Sequence, residues 1–391
     1  MTAPATLTPR LLGLFAAASF CSASAMHFQS PMLGAMAADF GVDAAAAGWI
    51  ATLTFGGYLL GMFTIVPLGD RFDKRSLILG QLSGLILSTL VLALAPTLAV
   101  AAAASVVLGA CACLTQSVIP VVIDLAPANG RGRLVGTLLT ALFLGILFGR
   151  LAGGTIAAHF GWRWTYALSE LLMLLVIGPL AWSLPRMPSK SRMAYGELLR
   201  SIVHLLRDSA ELRRIAIIQF LLGICYGGFW GTIAPMLSLL HRLGPAEAGL
   251  IGVPGAAGTL IARPAGRWMD RRGPYPVVLT GVACVAVAFM VLEFAASSVA
   301  VVVVGAILLD CGIRASIVAN QTQVTSLATD ARSRVNTVFG ASIWGGNSMG
   351  AFIASTALAH AGWTAACSMA LLSAAAALVI QWRAKDASPL R

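Results

Sequence analysis

Charged residues inside long apolar runs are the groups of this chain best able to do chemistry. Asp310 and Arg314 stand four residues apart within one such run, so on a helix they share a face one turn apart. They can neutralise each other as a structural pair. Alternatively Asp310 can carry a proton, releasing it while Arg314 is close and regaining it when left desolvated alone. Arg150 lies in another run and has no acid adjacent in sequence. Its guanidinium can hold a carboxylate or phosphate through two parallel hydrogen bonds, or it can serve internally by pairing with Glu170 or with backbone carbonyls. Inserting such a charge into hydrocarbon costs about 2.5–3.5 kcal/mol, so each asks for a partner or a function. Neutral polar groups in the same kind of run are His27, Gln29, Gln116, Gln219, Trp230, Asn320, Gln321 and Gln323. Any of them can line a cavity or simply satisfy a neighbouring helix. The first run holds no acid before Asp39, and Arg150 and Arg314 outnumber Asp310. That inventory leans toward an anionic or neutral solute.

The elements that carry these residues must be membrane spans. Hydrophobic residues make up 58% of the 391 residues and charged ones 10%, against about 25% charged in a soluble domain. Twelve apolar stretches fall near 11–34, 46–69, 76–95, 98–125, 134–158, 163–184, 213–236, 245–266, 274–295, 298–325, 335–359 and 363–382. Each has the roughly 20 residues that a helix needs to cross about 30 Å of hydrocarbon. Arg150 would lie about 24 Å along the fifth helix, too deep for its side chain to reach the near surface easily. Arg263, one turn before a loop, simply snorkels. Ala23-Ser24-Ala25 after an apolar stretch could pass for a signal-peptide cleavage site, but the apolar register continues to Phe40.

The chain also repeats itself. Arg332 and Arg334 lie 201 residues after Arg131 and Arg133, Gly346 and Gly350 keep that shift from Gly145 and Gly149, and His360-Ala-Gly362-Trp363 keeps it from His159-Phe-Gly161-Trp162. A doubling of this kind reads as two homologous helical bundles. The expected division is an N-terminal six-helix bundle over 1–184, a connecting loop over 185–212 and a C-terminal six-helix bundle over 213–391. The loop holds a segment from Glu197 to Asp208 that can lie as a helix on the membrane surface.

Charge sets the orientation. Of the 26 Lys and Arg, 21 fall in loops on one side, only Arg163 and Arg242 on the other, and Arg150, Arg263 and Arg314 within spans. By the positive-inside rule both termini and the connecting loop face the cytoplasm. The net charge of +11 is thereby a matter of topology and calls for no nucleic-acid partner. The seven cysteines lie in apolar spans without metal-ligand spacing, and no phosphate-binding or hydrolase motif occurs. Hence no metal, no cofactor and no enzymatic activity are expected.

Leu68-Gly69-Asp70-Arg71-Phe72-Asp73-Lys74-Arg75 and the repeat Gly266-Arg267-Trp268-Met269-Asp270-Arg271-Arg272-Gly273 resemble the signature loop of the major facilitator superfamily. The second copy fits better, since Val66 and Asp73 replace two glycines in the first. The fifth span matches the antiporter glycine pattern at Gly136, Gly145, Gly149, Gly153 and Gly154, with Arg150 where that pattern has proline. In the fourth span Ser105 stands where many proton-coupled members have arginine. The chain is similar to bacterial arabinose-efflux-like and drug–proton antiporter permeases. This resemblance implies an all-α polytopic membrane protein of twelve transmembrane helices in two six-helix repeats, monomeric, in the bacterial inner membrane. It implies proton-coupled efflux of a small organic solute; a uniporter or importer of an organic acid is the alternative, and a non-transporting receptor or membrane enzyme a remote one. Asp70 and Asp270 can accept from a helix N-terminus or pair with Arg131, Arg133 or Arg332 in one gate state. Arg71, Arg75 and Arg271 complete these gating loops.

Overall fold

The computed structural model describes residues 7–69, 71–126, 131–187, 195–256, 261–294, 298–327 and 332–387. The side chains of Arg131, Arg263, Asp270 and Arg332 lie outside that description, as does the whole of Asp70. The helices run α1 (Pro9–His27), α2 (Gln29–Phe40), α3 (Ala44–Leu68), α4 (Lys74–Ala93), α5 (Leu98–Ala112), α6 (Leu114–Leu125), α7 (Arg131–Phe160) and α8 (Trp162–Ser183). They continue as α9 (Tyr195–Asp208), α10 (Ala210–His241), α11 (Pro245–Leu250), α12 (Gly252–Ala256), α13 (Ala262–Arg272), α14 (Pro274–Leu292), α15 (Val299–Leu327) and α16 (Arg332–Ala387). Among the described residues there is no strand.

These helices supply the twelve expected spans, three of them broken. The first is the pair α1 and α2, bent by 42°. Pro31 explains the bend, because it has no N–H to offer the carbonyl of His27 four residues earlier. The fourth is α5 and α6, interrupted at Cys113. The eighth is divided among α11, α12 and α13. The long α16 is two spans joined at Gly362, whose φ of 79° breaks the helix. Gly161, its counterpart in the first repeat, has a φ of 88°, a region that side-chain-bearing residues rarely enter. The segment from Glu197 is helical within α9, as its pattern predicts.

Local chemistry fixes the starts. Thr8, Asp43, Asp73, Thr97 and Ser209 each accept a hydrogen bond from a backbone N–H of the first turn that follows, satisfying groups the helix itself cannot. One apolar core gathers residues from Leu11 to Leu184, with Ala351 of the other half, a second gathers residues from Ile218 to Ala377, and a smaller third runs from Leu212 to Phe339. Each half thus buries an interior drawn almost wholly from its own residues.

The repeat extends to the packing. Gly145, Gly149 and Gly153 of α7 lie against the backbone of α1 and its continuation at Phe20, Ser24 and Phe28. In the other half Gly346 and Gly350 of α16 lie against Phe220 and Ile224 of α10, and Ala354 against Gly228. A Cβ on Gly149 would come within 2.9 Å of Ser24 Cα, so the absent side chain is what permits this approach. Gly154 turns the other way, toward Pro245 and Gly249 of the second half. Gly136 corrects the sequence expectation. Nothing lies within 4 Å of where its Cβ would be, so it packs no helix among the described residues.

Candidate functional site

The two halves meet along α3 and α16, and along α7 with α11. At the end that carries the turns at Gly41, Gly161 and Gly362, Trp49 stacks with Phe352 at 4.9 Å between centroids. Deeper in, Ser348 Oγ donates to the Thr52 carbonyl at 2.8 Å, and Trp344 lies 4.2 Å from the ring of Tyr58. Gln116 reaches the Tyr58 hydroxyl from the break in the fourth span.

The intramembrane charges sit on this seam. Arg150 is 3% exposed. Its Nη2 donates to Tyr226 Oη at 2.6 Å, and its Cζ lies 3.4 Å over the ring centroid of Trp230. Both partners belong to α10, four residues apart and so on one helix face. A cation over an indole in a desolvated place gains about 2 kcal/mol, which offsets part of the burial cost. Among the described residues no ion pair joins Arg150 to Glu170, which is half-buried on α8; the aromatic clamp fills that role.

Arg314 mirrors this arrangement from the opposite side. It rises from α15 of the second half, and its Cζ lies 4.9 Å from the ring centroid of Phe143 on α7. Each half thus sends an arginine onto an aromatic ring of the other.

Asp310 completes the cluster. It is fully buried, with Arg314 Nη2 at 3.9 Å from Oδ1, and neither carboxylate oxygen has a hydrogen-bond partner. Both arginines act electrostatically on Asp310 and on His27, so α1, α7 and α15 present one charge cluster. His27 is buried at the bend of the first span, its Nδ1 2.9 Å from the Ala23 carbonyl.

The other polar candidates divide. Gln29 Nε2 donates to the Met26 carbonyl at 3.2 Å and Gln219 Nε2 to the Ser316 carbonyl at 3.3 Å, while Gln321 Nε2 donates to Asn336 Oδ1 at 2.7 Å. These three are committed to helix contacts. Asn320 is buried with its amide oxygen and nitrogen both unpartnered. Of the expected gating residues, Arg75 donates to the Ala181 carbonyl at 2.6 Å, tying α4 to the end of α8, and Arg71 and Arg271 are exposed. The proposed roles of Asp70, Arg131, Asp270 and Arg332 lie outside the described residues. In the same loop Asp73 Oδ1 accepts from the Met187 backbone N–H at 2.5 Å, and Lys74 pairs with Asp124 at 2.6 Å.

Sequence reading had named Arg150, Asp310, Arg314 and Trp230 but not Tyr226 or Phe143. Tyr226 could have been found from its place one turn before Trp230 on the same face. Phe143 carried no such signal, being one of many phenylalanines in apolar spans.

Comparison with known proteins gives this architecture a family. The Major Facilitator Superfamily model matches residues 15–263 and 215–390. The uncharacterized transporter YgaY of Escherichia coli O157:H7 is 30% identical over 378 residues, spanning 96% of each chain. A multidrug resistance protein B homolog of Mycobacterium tuberculosis is 24% identical over 308 residues, 64% of this chain and 56% of that one. A bacterial homolog of the human lysosomal transporter Spinster, solved inward-facing and occupied, superposes with a TM-score of 0.79 at 15% identity, over 97% of this chain and 98% of that chain. With twelve spans, an internal duplication and matches over both halves, the chain is a multi-pass membrane transporter that belongs to the major facilitator superfamily, not an enzyme.

Proposed function

We propose that this transporter exports a small organic solute across the bacterial inner membrane by alternating access, with Arg150, Asp310 and Arg314 as its transport site and the proton as its coupling ion. The observation that carries this reading is the reciprocal seating of Arg150 on Trp230 and of Arg314 on Phe143. A charge that bridges two halves is held only while they are in this relation, so a solute competing for either guanidinium acts on the relation itself. Asp310 is the proton-accepting group of the cluster, buried and without a hydrogen-bond donor.

The moving units are 1–184 and 213–391, working as a monomer, and 185–212 is their cytoplasmic tether. The orientation follows the charge asymmetry, with both termini inside. Contacts between the halves at Gly154 with Pro245 and at Gly48 with Ser355 then lie toward the outside, which makes this arrangement closed to the exterior. Export is supported by the likeness to the mycobacterial multidrug resistance protein. A second reading, import or uniport of an organic acid, is favoured by the excess of arginine over carboxylate in the cluster.

Flux into proteoliposomes of the full chain, against a panel of organic acids and drugs with and without a pH gradient, tests the proposal. Transport that responds to the gradient and disappears in Arg150→Ala supports it. Flux indifferent to Arg150→Ala and to Asp310→Asn would remove the cluster from the transport site.

A further inference from the structure

The cluster around Asp310 is not balanced in charge. Two guanidiniums, Arg314 from the same helix and Arg150 from α7, stand against one carboxylate. The other groups near it add no second acid: Cys311 beside it on α15, Cys284 of α14 next to that cysteine, and His27 of α1, within electrostatic range of both arginines. On the side of α10 the neighbours of Arg150 are the neutral Tyr226 and Trp230. One positive charge is therefore left over where charge is costly.

Hydrogen bonding in the cluster is unmet on both sides, with both Asp310 carboxylate oxygens unpartnered. Arg150 Nε, Arg314 Nε and Trp230 Nε1 are buried donors without an acceptor. A buried donor left unmet costs free energy, and a ligand bearing acceptor oxygens and a negative charge would answer the unmet donors and the leftover charge. Aromatic rings at Trp230, Phe143 and Tyr226 would receive an apolar body beside it.

We propose that the solute is a small organic monoanion, a carboxylate or sulfonate, and that its binding favours uptake of one proton by Asp310, so that anion and proton cross in the same direction. This rests on reading the cluster as the transport site. An anion placed against the guanidiniums competes with the Asp310 carboxylate for their charge, and a carboxylate so deprived takes a proton at Oδ from water on the open side. By linkage, protonation strengthens anion binding by the same factor. The sign is opposite to the antiport that the fifth-span resemblance implies, since antiport needs the solute to expel the proton; under an inward proton gradient it selects the second reading above, import of an organic acid, over export.

The test uses benzenesulfonate, which stays anionic at every working pH, so that any proton accompanying it is carried by the protein. Phenyltrimethylammonium is the matched fixed cation and benzenesulfonamide the neutral control. Binding is read from the tryptophan emission that is lost in Trp230→Phe, and proton movement from a pH dye inside proteoliposomes of the full chain. Benzenesulfonate affinity should tighten about 5- to 150-fold as pH falls from about 8 to about 5, and an inward benzenesulfonate gradient should acidify the lumen. Asp310→Asn, which imitates the protonated acid, should bind benzenesulfonate as tightly as the wild type at low pH and lose the pH dependence. Affinity that weakens as pH falls, or no emission change with benzenesulfonate at any pH, overturns the inference from wild-type protein alone. If phenyltrimethylammonium or the sulfonamide is transported instead, the anion inference fails while the transporter reading stands. Benzenesulfonate that binds at Trp230 but crosses under no gradient would instead remove the cluster from the transport path and so defeat the co-transport claim.

Discussion

The guanidinium of Arg150 lies 3.4 Å over the ring of Trp230, a residue of the other half of the chain. A guanidinium at this distance brings a delocalised planar group as well as a charge to the ring, and an ammonium offers only the charge. Arg150→Lys should therefore retain expression and insertion but weaken apparent solute affinity by about 1.5–3 kcal/mol, the range of charge-assisted hydrogen bonds. The apparent KM in reconstituted flux measures this, and an unchanged KM would sink the assignment of Arg150 to the site.

Glu170 makes no ion pair with Arg150 among the described residues, so the double variant Arg150→Ala with Glu170→Ala should be as inactive as Arg150→Ala alone. Recovery of flux in the double variant would mean that the arginine serves an internal pair after all.

Tyr226→Phe removes one acceptor and keeps the ring. The loss should be about 0.5–1.5 kcal/mol, the net value of a single hydrogen bond, and so clearly milder than Arg150→Ala. A double-mutant cycle of Tyr226→Phe with Arg150→Lys should show coupling; simple additivity would separate the two residues functionally.

The glycines of α7 should differ sharply. Gly149→Ala places a methyl within 2.9 Å of Ser24 Cα and should destabilise the detergent-solubilised protein by about 1–3 kcal/mol, the usual cost of overpacking. Gly136→Ala meets nothing within 4 Å and should leave the melting temperature unchanged or slightly raised. Equal melting temperatures for the two variants would contradict the packing described.

Topology is open to a direct check. Cysteines placed singly at Ser189 and Ser388 in a background without the native thiols should resist an impermeant maleimide applied from outside, whereas cysteines at the exposed Phe160 and Ala361, beside the turns at Gly161 and Gly362, should react. Outside labelling of either of the first two sites would invert the map.

Much of this was legible in the sequence because the membrane simplifies the code. Where water is absent, every backbone polar group must be satisfied within a helix, so runs of apolar residues near 20 long mark the spans directly. Arg150 and Asp310 were conspicuous for the same reason: a charge in hydrocarbon is rare. What stayed hidden were the partners. Seating Arg150 on Trp230, rather than beside Glu170, depends on how α7 meets α10 across the seam, and no local pattern encodes that contact. The bend at His27 was available from Pro31, whose missing N–H falls on that residue. The break of the eighth span at Ile251 was available in the same way from Pro254, whose missing N–H falls on Leu250, with Gly249 and Gly252 beside it.

The matched seating of Gly145 and Gly149 on one helix, and of Gly346 and Gly350 on another, bears on ancestry. At the shift that superposes those glycines, Arg150 falls on Ala351, Asp310 on Gly109 and Arg314 on Cys113. The framework was inherited twice and the charges only once each. A half-length ancestor pairing with its own copy would have had the frame without this chemistry, and the three ionisable residues are best dated after the fusion of the two genes. On the proposal that these three residues form the transport site, specificity in this lineage is the younger trait, and it could be rewritten at three positions without disturbing the older joinery of the helices.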